Sequence, residues 1–450
     1  MFMRTKSLFG RLLMVAVSLV LVAAACGSDD DEGTGGKTGD KSTTTAGDKK
    51  DDTKSLAGMK GTTPLVDLPQ EFKDQLLEVD PDLKDFNYAA ESYDAVVVVA
   101  LAVEEAKTDG VEYASKINGI TRGGEKCETF ADCKQLVTDG QDVDYDGKSG
   151  PLEFSGNGEP TEASYGILEF GEDNRIAEDK TEYQTATAPE EADVDEVPVE
   201  GDRAGDDVLT IGTLLPETGS LAFLGPPEFA GVDLAAKEVN EEGGVLGKPI
   251  KVIDGDSGDT ETDTANTTVD RLLGENVDAI IGAASSGVTK TVIDKITAAG
   301  VVQFSPANTS KEFSSYEDEG LYFRDAPSDI LQGGVLGEVI AADGHTTVGI
   351  LALDDPYGTG LAEDLTTTLK DSGVEVVETI IYDPAAQTFD SEIEKMKSAD
   401  PEAIVVIGFD ESSRILAGMV EAGIGPADKA VYGCDGNMGN ALGENFEAGK

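Results

Sequence analysis

From Val208 to the end of the chain, short apolar runs alternate with amphipathic stretches. The runs are Val208–Thr213, Ile250–Ile253, Ala279–Gly282, Val301–Ser305, Thr347–Leu353, Val374–Ile381 and Ala403–Gly408. Each has the length of a buried strand, whereas Phe229–Asn240 and Leu361–Lys370 between them carry apolar residues at helical spacing. Strands alternating with helices predict an α/β fold, with parallel sheets wound by helices on both faces and joined by right-handed crossovers.

An earlier ordered segment has a different pattern. It predicts helices over Gln70–Leu77 and Glu91–Ala106, then hairpin-like strands at Leu152–Phe154 and Ser164–Phe170. Val96–Val99 reads equally well as strand by periodicity, and the flanking length favours a buried helix. The later segment stops after a strand at Ala430–Tyr432, a glycine-rich turn and a short helix reaching Lys450, so neither segment reads as a finished domain. Residues 26–55 and 185–207 are polar or acidic stretches with little to bury. They read as a flexible tether and an acidic linker.

With 39% hydrophobic residues in 450, the chain can bury a real core. Its 34 basic and 89 acidic residues give a net charge of −55, which repels phosphate backbones and argues against nucleic acid as a partner. At the N-terminus, Arg4, Lys6 and Arg11 precede an apolar run, Leu12 to Ala25, too short to span a bilayer comfortably. This is a secretory signal over residues 1–25. It ends in Ala23-Ala24-Ala25-Cys26, which resembles a bacterial lipobox, although Leu21 lies further back than that motif usually has it. Lipidation of Cys26 would anchor the protein to the outer face of the cell membrane, the stretch beyond it serving as tether. Ordinary secretion with a chance cysteine is the alternative.

Of the remaining cysteines, Cys127 and Cys133 read as a local disulfide and Cys434 as a free, partly buried thiol. The one histidine, His345, leaves Ser-His-Asp, Cys-His and histidine-rich zinc sites hard to build. No catalytic residue is assigned and no enzyme activity is expected.

Several motifs carry a family resemblance. Gly219-Ser220-Leu221-Ala222-Phe223-Leu224-Gly225, followed by Val239 to Pro249, resembles the start of the branched-chain amino acid binding proteins of ABC transporters, which have the type I periplasmic binding fold. Ile281 to Ser286, Ser305 to Thr309, Asp355-Pro356-Tyr357-Gly358 and Gly433-Cys434-Asp435-Gly436 resemble that family's successive ligand loops. The family's C-terminal third is resembled at the front of the chain, by Gly61-Thr62-Thr63-Pro64, Ser92-Tyr93-Asp94-Ala95 and Ser149-Gly150-Pro151-Leu152. The two pieces complement each other, and Phe446 to Lys450 would continue into Leu56 to Lys60. A circularly permuted two-lobed domain explains this order, the rival being a truncated or misassembled gene model. On that reading residues 56–184 contribute to both lobes, 185–207 join the family's usual termini, 208–325 form the first lobe and 326–450 the second.

The resemblance implies a non-enzymatic receptor that closes on an amino-acid-like ligand and presents it to ABC permease subunits. It would be an extracytoplasmic monomer. A lipid-anchored sensor signalling to a membrane partner is the alternative. The ligand residues implied are Ser285, Ser286, Ala307 and Thr309 on one lobe and Tyr357, Phe409 and Asp435 on the other, with Phe223 walling the side chain. Ser286 and Thr309 would take a carboxylate, and Asp435 with the Ala307 carbonyl an ammonium. Helix capping is the plainer role for Ser286, Thr309 and Asp435. Finally, Asp142, Asp144, Asp146 and Glu153 match the oxygen spacing of a calcium loop, or form an acidic turn on an acidic protein. No other cofactor is expected.

Overall fold

Near-continuous apolar runs need cover on both faces, and the central strands of the chain's second half receive it, whereas the edge strands Lys251–Ile253 and Glu375–Tyr382 stay partly exposed. The computed structural model describes residues 55–189 and 196–446, which lie within one compact unit. Residues 1–25, read as a signal sequence, Cys26, all but the last residue of the stretch read as a tether, residues 190–195 and residues 447–450 lie outside the described residues.

The described strands are β1 (Lys60–Pro64), β2 (Glu125–Cys127), β3 (Val143–Tyr145), β4 (Glu162–Glu169), β5 (Glu182–Thr187), β6 (Thr210–Leu214) and β7 (Lys251–Ile253). They continue with β8 (Ala279–Gly282), β9 (Val302–Ser305), β10 (Tyr322–Arg324), β11 (Thr347–Leu353), β12 (Glu375–Tyr382), β13 (Ala403–Ile407) and β14 (Ala430–Gly433). The first helices are α1 (Gln70–Val79), α2 (Ala89–Ala106), α3 (Ile117–Ile120), α4 (Phe130–Thr138), α5 (Gly225–Glu241) and α6 (Thr264–Gly274). After them come α7 (Ser286–Thr297), α8 (Asp329–Ala342), α9 (Pro356–Asp371), α10 (Asp390–Ala399), α11 (Ser412–Ala422) and α12 (Asn440–Glu444).

Two sheets define two lobes. The first lobe holds a five-stranded parallel sheet in the order β10-β9-β8-β6-β7. The second holds a seven-stranded sheet, β12-β11-β13-β14-β1-β4-β5, parallel as far as β1 and antiparallel beyond it. Strand β1 comes from the front of the chain and lies beside β14 from its end, Lys60 opposite Tyr432 and Gly61 opposite Gly433. The adjoining helix α2 packs instead in the first lobe, against α5. It is buried from Ala89 to Val103, so Val96–Val99 is helix. An added Cβ on Gly231 of α5 would reach the Ala89 carbonyl oxygen, which shows how closely these helices approach.

Three expectations are corrected. Leu152–Phe154 is not a strand, because Leu152 and Glu153 take left-handed backbone (φ 61° and 46°) after Pro151 and only Phe154 bridges, to Pro160. The hairpin partner of β4 is β5, whose last residues, Thr185–Thr187, fall inside the stretch read as linker. Residues 196–207 of that stretch are docked on the first lobe. The Glu200 N–H donates to the Glu319 carbonyl at 2.9 Å, and the Val111 N–H to the Arg203 carbonyl at 3.0 Å. Arg203 also pairs with buried Asp278 at 2.7 Å. The Asp109 carboxylate, meanwhile, accepts from the backbone of Asp206, Asp207 and Val208 at 2.9–3.1 Å. An acidic segment can dock because its backbone donors meet a buried acceptor, which composition does not reveal.

Cys127 and Cys133 are bonded, with Cα atoms 5.4 Å apart, tying β2 to α4. Replacing both with serine should lower unfolding stability by about 2 kcal/mol in a denaturant titration, the loop-entropy value for so short a ring. Loss of cooperative folding would contradict this local role.

Candidate ligand-binding cleft

The loop after β14 carries Asp435 toward the first lobe. Its carboxylate is buried and accepts from the Tyr357 hydroxyl at 2.8 Å on one oxygen and from the Tyr88 hydroxyl at 2.8 Å on the other. Burial pushes its pKa up, and the two tyrosines and Gln332 only partly oppose that rise. No Lys or Arg pairs with Asp435 among the described residues. Asp435 is not a helix cap, since Gly439 stands at the N-terminus of α12.

Tyr357 sits one residue inside α9, where Asp355 accepts the Gly358 N–H at 2.7 Å and Pro356 opens the first turn. Its ring stacks on Phe409, with centroids 5.5 Å apart, and its hydroxyl also reaches the Cys434 sulfur at 3.0 Å. Cys434 is a fully buried free thiol, and burial holds it protonated.

From the first lobe, Ser285 caps α7 by accepting the Val288 N–H at 3.3 Å, and Ser286 accepts the Ser310 N–H at 3.3 Å. Thr309 is buried, and its carbonyl takes the Asp329 N–H at 2.7 Å. Ala307 shares one apolar cluster with Tyr88, Tyr357 and Phe409. This loop is held by Arg324, buried beneath it, which donates to the carbonyls of Asn308 at 3.1 Å and Ser310 at 2.8 Å while paired with Glu159.

The lobes touch across this region. Ser310 Oγ donates to the Pro356 carbonyl at 3.0 Å, the Asp410 N–H to the Ser220 carbonyl at 3.2 Å, and Lys311 pairs with Asp364 at 2.9 Å. Two cavities flank the contact. One, of about 270 Å³, is bordered by Phe223, Phe409 and Gly439, and the other, of about 280 Å³, by Ser285, Asp355, Phe409, Glu411 and Arg414. Neither is lined by Asp435, Thr309 or Tyr357, which are packed between the lobes. In the second cavity burial raises Asp355 to about 7. No sequence motif pointed to Tyr88 as the second hydroxyl on Asp435. Tyr88, in left-handed backbone (φ 60°) at the start of α2, has no motif of its own.

The calcium-loop expectation is corrected. Asp144 lies in β3, and Lys126 places its ammonium 3.1 Å from Asp144, 2.9 Å from Asp146 and 3.2 Å from Glu153. That cation supplies the charge a metal would have brought. Asp142 is absent from the set, and no group of three or more acids able to hold a metal occurs among the described residues. Calcium at about millimolar concentration should therefore leave the melting temperature unchanged, whereas a metal bound there would raise it.

Comparison with known proteins matches the same elements. A family described as Periplasmic binding protein matches residues 208–446, and one described as Receptor family ligand binding region matches residues 41–173. A Leucine-, isoleucine-, valine-, threonine-, and alanine-binding protein of Pseudomonas aeruginosa is 28% identical over 212 residues, 47% of this chain and 56% of that protein. A chemotactic signal transduction system substrate-binding protein of Halobacterium salinarum is 28% identical over 216 residues, 46% of this chain and 51% of that one. The chain thus spans about half the length of these curated relatives. Among solved structures, the branched-chain amino acid transporter substrate binding protein LivJ of Streptococcus pneumoniae, in complex with isoleucine, is 29% identical. The match covers 53% of this chain and 67% of that one, with a TM-score of 0.47. Since the first family match takes in more than half of the chain, this protein belongs to the periplasmic binding protein family, a family of non-enzymatic binders with the two-lobed type I fold.

Proposed function

We propose that this protein is an extracytoplasmic receptor, anchored through a lipid on Cys26, that captures an amino acid or close analogue between its lobes and delivers it to an ABC importer. The observation that carries the reading is Asp435. It is a buried carboxylate between the lobes, given two tyrosine hydroxyls but no cation by the described residues. Such a group is stable when a ligand brings the counter-charge into a site drier than water. Ser286 and Thr309 then lie on the opposite lobe to receive a carboxylate. Contacts from both lobes are what make closure depend on the ligand. Native mass spectrometry of freshly purified protein tests this. A bound species with the mass of an amino acid or analogue supports the reading, and a bound nucleotide or sugar would oppose it.

The chain order is proposed to be a circular permutation. Three features support it: the two family matches fall on complementary pieces, β1 lies beside β14, and the Asn174 side chain links the Leu56 N–H and the Phe446 carbonyl, each at 2.9 Å. The segment 185–207 would then join the family's usual termini. Peptide mapping of the natural protein should recover both segments in one polypeptide, and a natural protein lacking either would refute the permutation.

The Halobacterium relative's description as part of a chemotactic system favours a second reading, a sensor that reports ligand occupancy to a membrane partner. Co-purification with permease subunits supports import, and co-purification with a transducer supports sensing.

A further inference from the structure

A third cavity, of about 230 Å³, lies in the first lobe and shares no lining residue with the two at the cleft. One of its walls is the docked segment Glu196–Val199, which lies between β5 and β6 in the chain. That wall is pinned at both ends, by the Val197 N–H on the Gly156 carbonyl at 3.1 Å and the Glu200 N–H on the Glu319 carbonyl at 2.9 Å. Between these bonds Pro198 has no N–H to satisfy, and its carbonyl approaches Gly320 so closely that an added Cβ there would stand 2.9 Å away.

Two polar groups bordering the cavity lack the partners their chemistry asks for. Asn118 of α3 is 8% exposed, and its amide donates to the Gly156 carbonyl at 3.2 Å. That bond leaves Oδ1 as an acceptor, and the oxygen has no partner. Asp318, also buried, accepts the Gly320 N–H at 2.8 Å, and no Lys or Arg pairs with it among the described residues. Burial raises its pKa to about 6, so the carboxyl is ionised at neutral pH. Glu196, the other acid on the cavity, is already paired with Arg122 at 3.3 Å. No lysine or arginine is among the described residues that line the cavity, and Val197, Pro198 and Phe323 give it apolar walls.

Buried acceptors without donors are rare, as are buried carboxylates without a cation. A void bordered by both suits a guest with donors and positive charge at one end and hydrocarbon at the other. We propose that this cavity is an accessory site for a small primary alkylamine, its ammonium donating to Asn118 Oδ1 and Asp318 and its alkyl chain lying against Val197, Pro198 and Phe323. A primary ammonium carries three N–H donors, enough for both groups. The volume is below the roughly 300 Å³ at which drug-sized sites begin, so the chain is short. Because residues 196–199 supply a wall, the site exists only while that segment is docked.

The test is a saturation-transfer NMR titration of the full chain at neutral pH with n-butylamine and with n-butanol, its uncharged analogue. The wild type should bind butylamine saturably and at least about tenfold more tightly than butanol. Asp318→Asn should weaken butylamine at least about tenfold and erase that preference, and Asn118→Leu should weaken it about fivefold. If a thermal melt shows that Asp318→Asn does not fold, Asn118→Leu and the butanol comparison carry the test. No saturable binding, equal affinity for butylamine and butanol, or unchanged butylamine affinity in Asn118→Leu overturns the proposal. Butylamine binding that is lost in Asp435→Asn and kept in Asp318→Asn overturns it too, because the amine then sits in the cleft.

Discussion

Replacing Asp435 with asparagine will weaken ligand binding by about 2 kcal/mol or more, roughly thirtyfold, while the protein still folds. The substitution keeps the shape of the side chain and removes its charge. The buried carboxylate accepts from two tyrosines, Tyr88 at the start of α2 and Tyr357 in α9, so the change acts where helices of both lobes meet. A ligand ammonium there loses a charge-assisted partner in a place from which water is largely excluded, where such a pair is worth most. Titration calorimetry on wild type and variant reads the loss, and a thermal melt of the variant without ligand confirms the fold. Unchanged affinity would make Asp435 a structural acceptor for the two tyrosines.

The second large effect is on stability against pH. Burial raises Glu91 to about 8, Asp355 to about 7, and Asp278 and Asp318 to about 6. It also raises Glu228, Asp325, Asp329 and Asp435. A carboxyl whose folded pKa lies above its unfolded value binds its proton more tightly when folded. Its stabilisation is therefore complete below the unfolded pKa and is lost as pH rises through the folded one. Asp343, Asp400 and Glu402 are shifted the other way and favour the fold above about pH 4, but they are partly or fully exposed and contribute little. Without ligand, the protein should lose several kcal/mol of stability between about pH 5 and about pH 8, and Glu91→Gln should flatten that slope. Denaturant titrations at constant ionic strength measure it, since the charge of −55 makes the fold sensitive to screening. Stability that climbs over this range would contradict the burial of these acids.

The central strands of residues 208–433 were legible because burial on both faces leaves them as unbroken apolar runs, Thr347–Leu353 most plainly, whereas the three-residue strand β10 went unread. Strand β1 was not, because Lys-Gly-Thr-Thr-Pro carries no strand periodicity, and β14 and β4 on either side determine its conformation. Edge strand β5, Glu-Tyr-Gln-Thr-Ala-Thr, is too polar to stand out from an acidic linker. At the cleft, loop motifs singled out Tyr357 and Asp435, which the fold brings together, but what surrounds them was hidden. Tyr88 meets Asp435 from 347 positions away, a contact no local pattern encodes. The calcium spacing misled because Lys126, from another strand, is close only after folding.

The most direct test of the account is a high-resolution crystal structure of the protein with its co-purified ligand. The expected result is density for a small molecule whose nitrogen lies within hydrogen-bonding distance of Asp435 and whose acidic end meets Ser286 and Thr309, walled by Tyr357 and Phe409. Density seated elsewhere, with the Asp435 carboxylate still held by Tyr88 and Tyr357 and touching no ligand atom, would contradict it.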